Sequence, residues 1–160
     1  MKKFILILLL ISPAFLSNAQ SNSTLEETLL WLKSKIEAYP SCGGLCYTAK
    51  VTYDLNKKEI TIEYTSNLNN KVIYIIPLRN INPYGYSYSK GFLFTVKTTG
   101  NNITRYDIGS DGSKTTKYES SAYLVFDDTK FKQEGLESRL IKAFNHACKL
   151  SGGNAGQEPF

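Results

Sequence analysis

The chain has 160 residues, 42% of them hydrophobic, and a formal net charge of +5. That length suits one domain with a single core. The charge is spread thinly: beyond residue 3 the only lysine doublet is Lys57-Lys58, and Arg79, Arg105 and Arg139 are the only arginines. Nucleic-acid binding needs a concentrated basic face, so that class is excluded. A mild attraction to anionic membrane or polysaccharide surfaces is compatible with the composition.

Residues 1–19 read as a secretory leader. Met1-Lys2-Lys3 is basic, Phe4 to Ile11 is apolar, and Ser17-Asn18-Ala19 supplies small residues for cleavage. The apolar run is too short to span a bilayer as a stable helix. Cleavage after Ala19 makes Gln20 the new terminus and removes two lysines and no acid, which leaves a charge of +3 on 141 residues. The expected address is the periplasm or the cell exterior, with no transmembrane segment in the mature chain.

A helix follows. Ser23 and Glu26 match the Ser-x-x-Glu capping box, and Leu25, Leu29, Leu32 and Ile36 fall on one stripe. Trp31 lies off that stripe, and Pro40 ends the helix. From Cys46 the period changes to two. Tyr47, Ala49, Val51 and Tyr53 alternate with polar residues, as do Ile60, Ile62 and Tyr64, which predicts an antiparallel hairpin turning at Asn56-Lys57-Lys58. Val72 to Ile76 is apolar on both faces, the pattern of a central strand covered on each side, and Pro77 fits its end. Further strands are expected at Phe92–Thr98, Ile103–Ile108 and Ala122–Phe126. Residues 109–121 read as a loop or as a hairpin tip with Gly112 at its turn. A last helix runs from about Glu134 to Leu150, with an apolar face of Leu136, Leu140, Ala143, Phe144, Ala147 and Cys148, and stops at Gly152-Gly153.

The order helix, about six antiparallel strands, helix predicts an α+β domain over residues 20–153 with a loose tail at 154–160. The strands form either one open twisted sheet or a partial barrel closed by the last helix, as in pleckstrin-homology-like folds.

Three cysteines, Cys42, Cys46 and Cys148, reach an oxidising compartment after export. Any pair among them is a disulfide candidate, and one thiol is left over. The spacing is Cys-x-x-x-Cys rather than the Cys-x-x-Cys of thioredoxin-like redox sites. His146, the only histidine, stands two residues before Cys148, about 200° around the helix, so the two cannot form a nucleophile–base pair there. Asp127-Asp128 and Glu134 offer no evident catalytic pair, and Asp111-Gly112 reads as a turn. No phosphate-binding loop, metalloprotease motif or serine-hydrolase motif is present. No catalytic residue, metal ligand or cofactor is therefore assigned. The candidate ligand surface is Tyr84, Tyr86 and Tyr88, which alternate with small residues. Extended, they present three phenol rings on one face, suited to a sugar, peptide or protein surface. The competing reading is an edge strand whose tyrosines cover the neighbouring layer.

The C-terminal segment Arg139-Leu-Ile-Lys-Ala-Phe-Asn-His-Ala-Cys-Lys-Leu-Ser-Gly-Gly, with Glu158-Pro159-Phe160 after it, resembles that of small exported proteins of unknown function from Bacteroidetes-type bacteria, and the Asn18-Ala19-Gln20 junction is similar to theirs. The resemblance implies an α+β domain ending in an amphipathic helix, and no activity, cofactor or catalytic residue. Where those relatives carry cysteine before Gly-Gly, this chain has Ser151.

Together these features point to an exported binding or interaction module, with an envelope or extracellular protein or glycan as partner. The alternative is a small hydrolase acting on envelope or extracellular polymers, which needs acids or hydroxyls from separate strands to converge.

Overall fold

The computed structural model describes residues 23–39, 42–43, 45–89 and 93–154. The expected leader and most of the expected tail lie outside them, as do the side chains of Cys42 and Cys46. The first element is α1 (Leu25–Ala38). Its cap is set one residue later than the Ser23–Glu26 box. The Thr24 hydroxyl accepts the Glu27 amide proton, and the Glu27 carboxylate accepts the Thr24 amide proton. Two overlapping boxes were available, and the use of Thr24 leaves the Ser23 side chain free to reach another helix. Leu29, Leu32 and Ile36 are fully buried, as their stripe requires.

Nine strands follow: β1 (Cys42–Gly43), β2 (Leu45–Asp54), β3 (Glu59–Ser66), β4 (Lys71–Pro77), β5 (Ile81–Ser89), β6 (Leu93–Thr98), β7 (Ile103–Ile108), β8 (Lys114–Glu119) and β9 (Ser121–Val125). They form two antiparallel sheets rather than one sheet or a barrel. The larger has the order β1-β2-β3-β4-β7-β8, with β1 only two residues long, and the smaller has the order β5-β6-β9. A short 3-10 turn (Leu78–Asn80) after Pro77 takes the chain out of the first sheet and into the second. The chain returns to the first sheet for β7 and β8, then to the second for β9. Period-two patterning announces each strand but not its partner, and for that reason the split was not legible. Residues 109–121 adopt the hairpin option, with Gly112 at φ 81° in the turn leading into β8.

The inner face of the large sheet supplies Val51, Ile60, Ile62, Tyr64, Ile76 and Ile103 to the core, and the small sheet supplies Phe94, Val96, Ala122 and Leu124. Tyr64 joins the two: its hydroxyl accepts the Val125 amide proton at 3.1 Å. The last expected helix starts two residues later than expected, at Leu136, and a short helix that the sequence did not predict precedes it. A six-residue helix, α2 (Asp128–Gln133), is capped by Asp127, and Gly135 at φ 58° turns the chain into α3 (Leu136–Leu150). Glycine suits that left-handed position because it has no Cβ to clash.

The end of α3 is a Schellman motif. Gly152 N–H donates to Lys149 O and Gly153 N–H to Cys148 O, with Gly152 at φ 83°. Gly153 then lies so close to the Arg79 carbonyl and the Cys148 sulfur that a Cβ there would collide with both. No described helix is long and apolar enough to cross a membrane.

Candidate functional site

Helices α1 and α3 pack antiparallel along one seam. Ser23 meets His146 at one end, Trp31 meets Arg139 in the middle, and Lys35 and Tyr39 meet Glu134 at the other end. The closed end is an ion-pair network: Glu134 accepts from the Tyr39 hydroxyl, holds Lys35 at 2.9 Å and has Arg139 at 3.8 Å. The Tyr39 hydroxyl and Lys35 ammonium hold its carboxyl below the usual carboxylate range.

Between the closed end and Ser23 a cleft of about 440 Å³ lies along the seam of the two helices. That is within the size range of small-ligand sites. Its floor is Thr28 and Ala143. Trp31 and Glu27 form the α1 wall, and Ser138, Arg139, Lys142 and His146 the α3 wall. The Arg139 guanidinium lies 5.2 Å from the centre of the Trp31 ring, a cation–π geometry worth about 0.5–1 kcal/mol at an exposed site. Lys142 is exposed and holds no ion pair among the described residues. Glu27, the one acid of the cleft, uses one of its two carboxylate oxygens for the Thr24 cap.

His146 Nε2 is 3.0 Å from the Ser23 hydroxyl and also 3.0 Å from the Ser23 carbonyl oxygen. A carbonyl oxygen only accepts, so the proton belongs on Nε2, shared between the two oxygens. A nitrogen that carries the proton cannot take one from the serine. The pair is therefore a clamp between helix ends rather than an activated nucleophile.

Each residue singled out from the sequence has a definite place. Cys148 is a free, fully buried thiol that faces Ile81 O at 3.6 Å and Arg79 O at 3.9 Å. Burial raises its pKa. A disulfide from Cys148 to Cys42 or Cys46 is absent, because α3 is packed over the turn into β5 and holds the thiol there. Cys42 and Cys46 are register partners across the β1–β2 hairpin.

The three tyrosines do not form one exposed face. Tyr84 is 80% exposed. Tyr86 stacks near Phe94, with ring centres 6.0 Å apart, and donates to Asn145 Oδ1 at 2.7 Å. Tyr88 stacks on Phe131 at 4.3 Å, nearly parallel, and donates to Asp128. Burial above all raises the pKa of both Tyr86 and Tyr88. A bulge between Ile81 and Tyr86 breaks the alternation that would have aligned Tyr84 with the others. The acids are equally occupied: Asp127 caps α2, Asp128 holds Tyr88 and Lys132, and Asp111 accepts from Ser113 in its turn. Among the described residues no group of three His, Cys, Asp or Glu side chains could hold a metal ion.

Sequence reasoning missed the cleft. The available signal was Arg139, Lys142 and His146 at spacings of three and four on α3, together with an off-stripe Trp31 on α1. Only the antiparallel packing of the two helices shows that these belong together. No protein-family model, no curated protein and no solved structure matches the chain.

Proposed function

We propose that this chain is an exported, non-enzymatic binding module and that its ligand is a carboxylated saccharide held in the α1–α3 cleft. The observation that carries the reading is the union of Trp31, Arg139 and Lys142 in one cavity of ligand size. A flat aromatic ring receives the apolar face of a sugar. Two cations three residues apart on α3 receive a carboxylate, Arg139 in planar, two-point fashion. Ser23, Thr28 and Ser138 line the same cleft with hydroxyls. An extended peptide would find less here, because two helices with their backbones internally bonded offer its main chain no partners. Export rests on the leader at residues 1–19, and the similarity of the C-terminal segment to small exported bacterial proteins agrees with it.

Trp31 is the only tryptophan, so its fluorescence reports on the cleft alone. The expected result is a saturable change in emission on titration with galacturonic-acid oligomers. It should weaken with added salt and be lost in the Arg139→Gln/Lys142→Gln double variant. Neutral oligosaccharides should produce no change. An equal response to neutral sugars, or to a glutamate oligopeptide, overturns the saccharide assignment. No response to any of them overturns the cleft as a ligand seat.

A further inference from the structure

The cleft has one anionic wall and one cationic wall. Helices α1 and α3 run antiparallel, with Ser23 against His146 and Trp31 against Arg139. Glu27 stands midway between Ser23 and Trp31, and Lys142 stands between Arg139 and His146. Both line the cleft, so an acid of α1 and a base of α3 share its middle level. They form no ion pair with each other among the described residues. The Glu27 carboxylate is fixed by the helix cap. Its Oε2 accepts the Thr24 amide proton at 2.7 Å and the Thr24 hydroxyl proton at 3.1 Å, while Oε1 accepts none among the described residues. These bonds, the backbone one first, hold the carboxyl below its usual range, so the group is an anion at neutral pH. The other polar side chains of the cleft are committed differently. The Thr28 hydroxyl donates to Thr24 O and the Ser138 hydroxyl to Gly135 O. Arg139 and Lys142 carry donors only. A ligand hydroxyl therefore finds one charged acceptor in the cleft, Glu27 Oε1.

We infer that Glu27 is the specificity-determining residue of the cleft. Its free Oε1 accepts a ligand hydroxyl proton on the α1 wall while Arg139 and Lys142 hold the ligand carboxylate on the α3 wall. The site thereby selects a hydroxylated carboxylate over a bare anion. This assignment rests on the saccharide reading of the cleft and deepens it. A hydrogen bond to an ionised acceptor is the stronger kind. The same charge repels an anion that brings no hydroxyl to bond it. Attraction to one ligand joined to repulsion of its competitor is how a site discriminates. The anchored Oε2 also keeps the carboxylate in place before a ligand arrives, which lowers the cost of ordering it.

Trp31 fluorescence gives the test, with two probes of equal charge at neutral pH and one salt concentration. They are tri-galacturonic acid and tricarballylate, a tricarboxylate without hydroxyls. The native chain should prefer tri-galacturonate by at least about tenfold. Glu27→Gln keeps the capping box, which glutamine completes as glutamate does, and its melting temperature checks that. The glutamine carbonyl takes over the Thr24 amide proton and leaves an NH2 donor facing the ligand, so the preference should fall below about threefold. Glu26→Gln removes the same charge one position away, outside the cleft lining, and should leave the preference unchanged. An unchanged preference in Glu27→Gln overturns the inference. So does an equal fall in Glu26→Gln, which makes the effect one of net charge, and so does a native chain that binds both probes equally. A native chain that responds to neither probe fails at the cleft itself, and the saccharide reading then falls together with this assignment.

Discussion

The carboxylate of Glu37 accepts the backbone amide proton of Val51 at 2.7 Å. Lys33, one turn earlier on α1, completes the arrangement: its ammonium donates to Val51 O at 2.7 Å and to Glu37 at 2.6 Å. Helix α1 thus supplies side chains to the edge of β2 at Val51, where no strand pairs with it among the described residues. An open edge invites pairing with another chain, and here an i,i+4 ion pair fills both backbone valences of the edge residue.

Glu37 should therefore matter more than a surface acid. Burial pushes its carboxyl up, but the hydrogen bonds from Lys33 and the Val51 amide outweigh that and leave it below the usual carboxylate value. A carboxyl whose pKa is lower folded than unfolded stabilises above its unfolded pKa, near 4.3, and loses that contribution as pH falls through the folded value. Glu37→Ala should cost about 1–2 kcal/mol at pH 7 in urea denaturation. The difference from the native chain should shrink below about pH 4.

Tyr84 and Tyr86 should separate cleanly. Tyr86→Ala removes a ring packed against Phe94 and Phe144 and strands the Asn145 side chain. A loss of about 3 kcal/mol is expected, as for other buried aromatic truncations. Tyr84→Ala should move the melting temperature by less than about 1 °C, as exposed substitutions do. A comparable loss in both would contradict the packing described for β5.

Ser151 is buried, and its hydroxyl has no hydrogen-bond partner among the described residues. An unsatisfied buried hydroxyl costs about 1–3 kcal/mol. Ser151→Ala should raise the melting temperature by about 2–4 °C in differential scanning calorimetry. A lowered melting temperature would show that the hydroxyl does have a partner.

The thiols can be counted by maleimide labelling and intact mass. Cys148 is sealed between α3 and the turn into β5, so the native protein should leave it unlabelled. The register sets Cys42 opposite Cys46, and antiparallel partners stand at a Cα separation that a disulfide tolerates. The air-oxidised protein should accordingly take one label when denatured and three after reduction. Labelling of native Cys148 would contradict its burial.

Much of the fold was readable because it follows from local periodicity. The buried stripe of α1, the alternation of β2 and β3, the apolar face of α3 and its Gly152-Gly153 stop each appear in the structure within a few residues of their expected place. Failures came where two local solutions were equally good. Thr24 competed with Ser23 for the cap. The six-residue α2 went unread because it is too short to show a helical period. The tyrosine face failed for a different reason: a single bulge in β5 changes which side a ring occupies, and Pro83 and Gly85, which mark the irregularity in the sequence, do not say which tyrosine it displaces.

The sequence by itself determined which residues are apolar and, within a few residues, where α1, β2, β3 and α3 lie. Those properties depend on neighbours within a few positions along the chain. Only the tertiary structure decided that the strands divide into two sheets, that Trp31 and Arg139 meet along one cleft, and that Cys148 is sealed away. Each of these depends on contacts between residues far apart in the chain. They are selected by the joint burial of many side chains, a quantity that no short window of sequence contains.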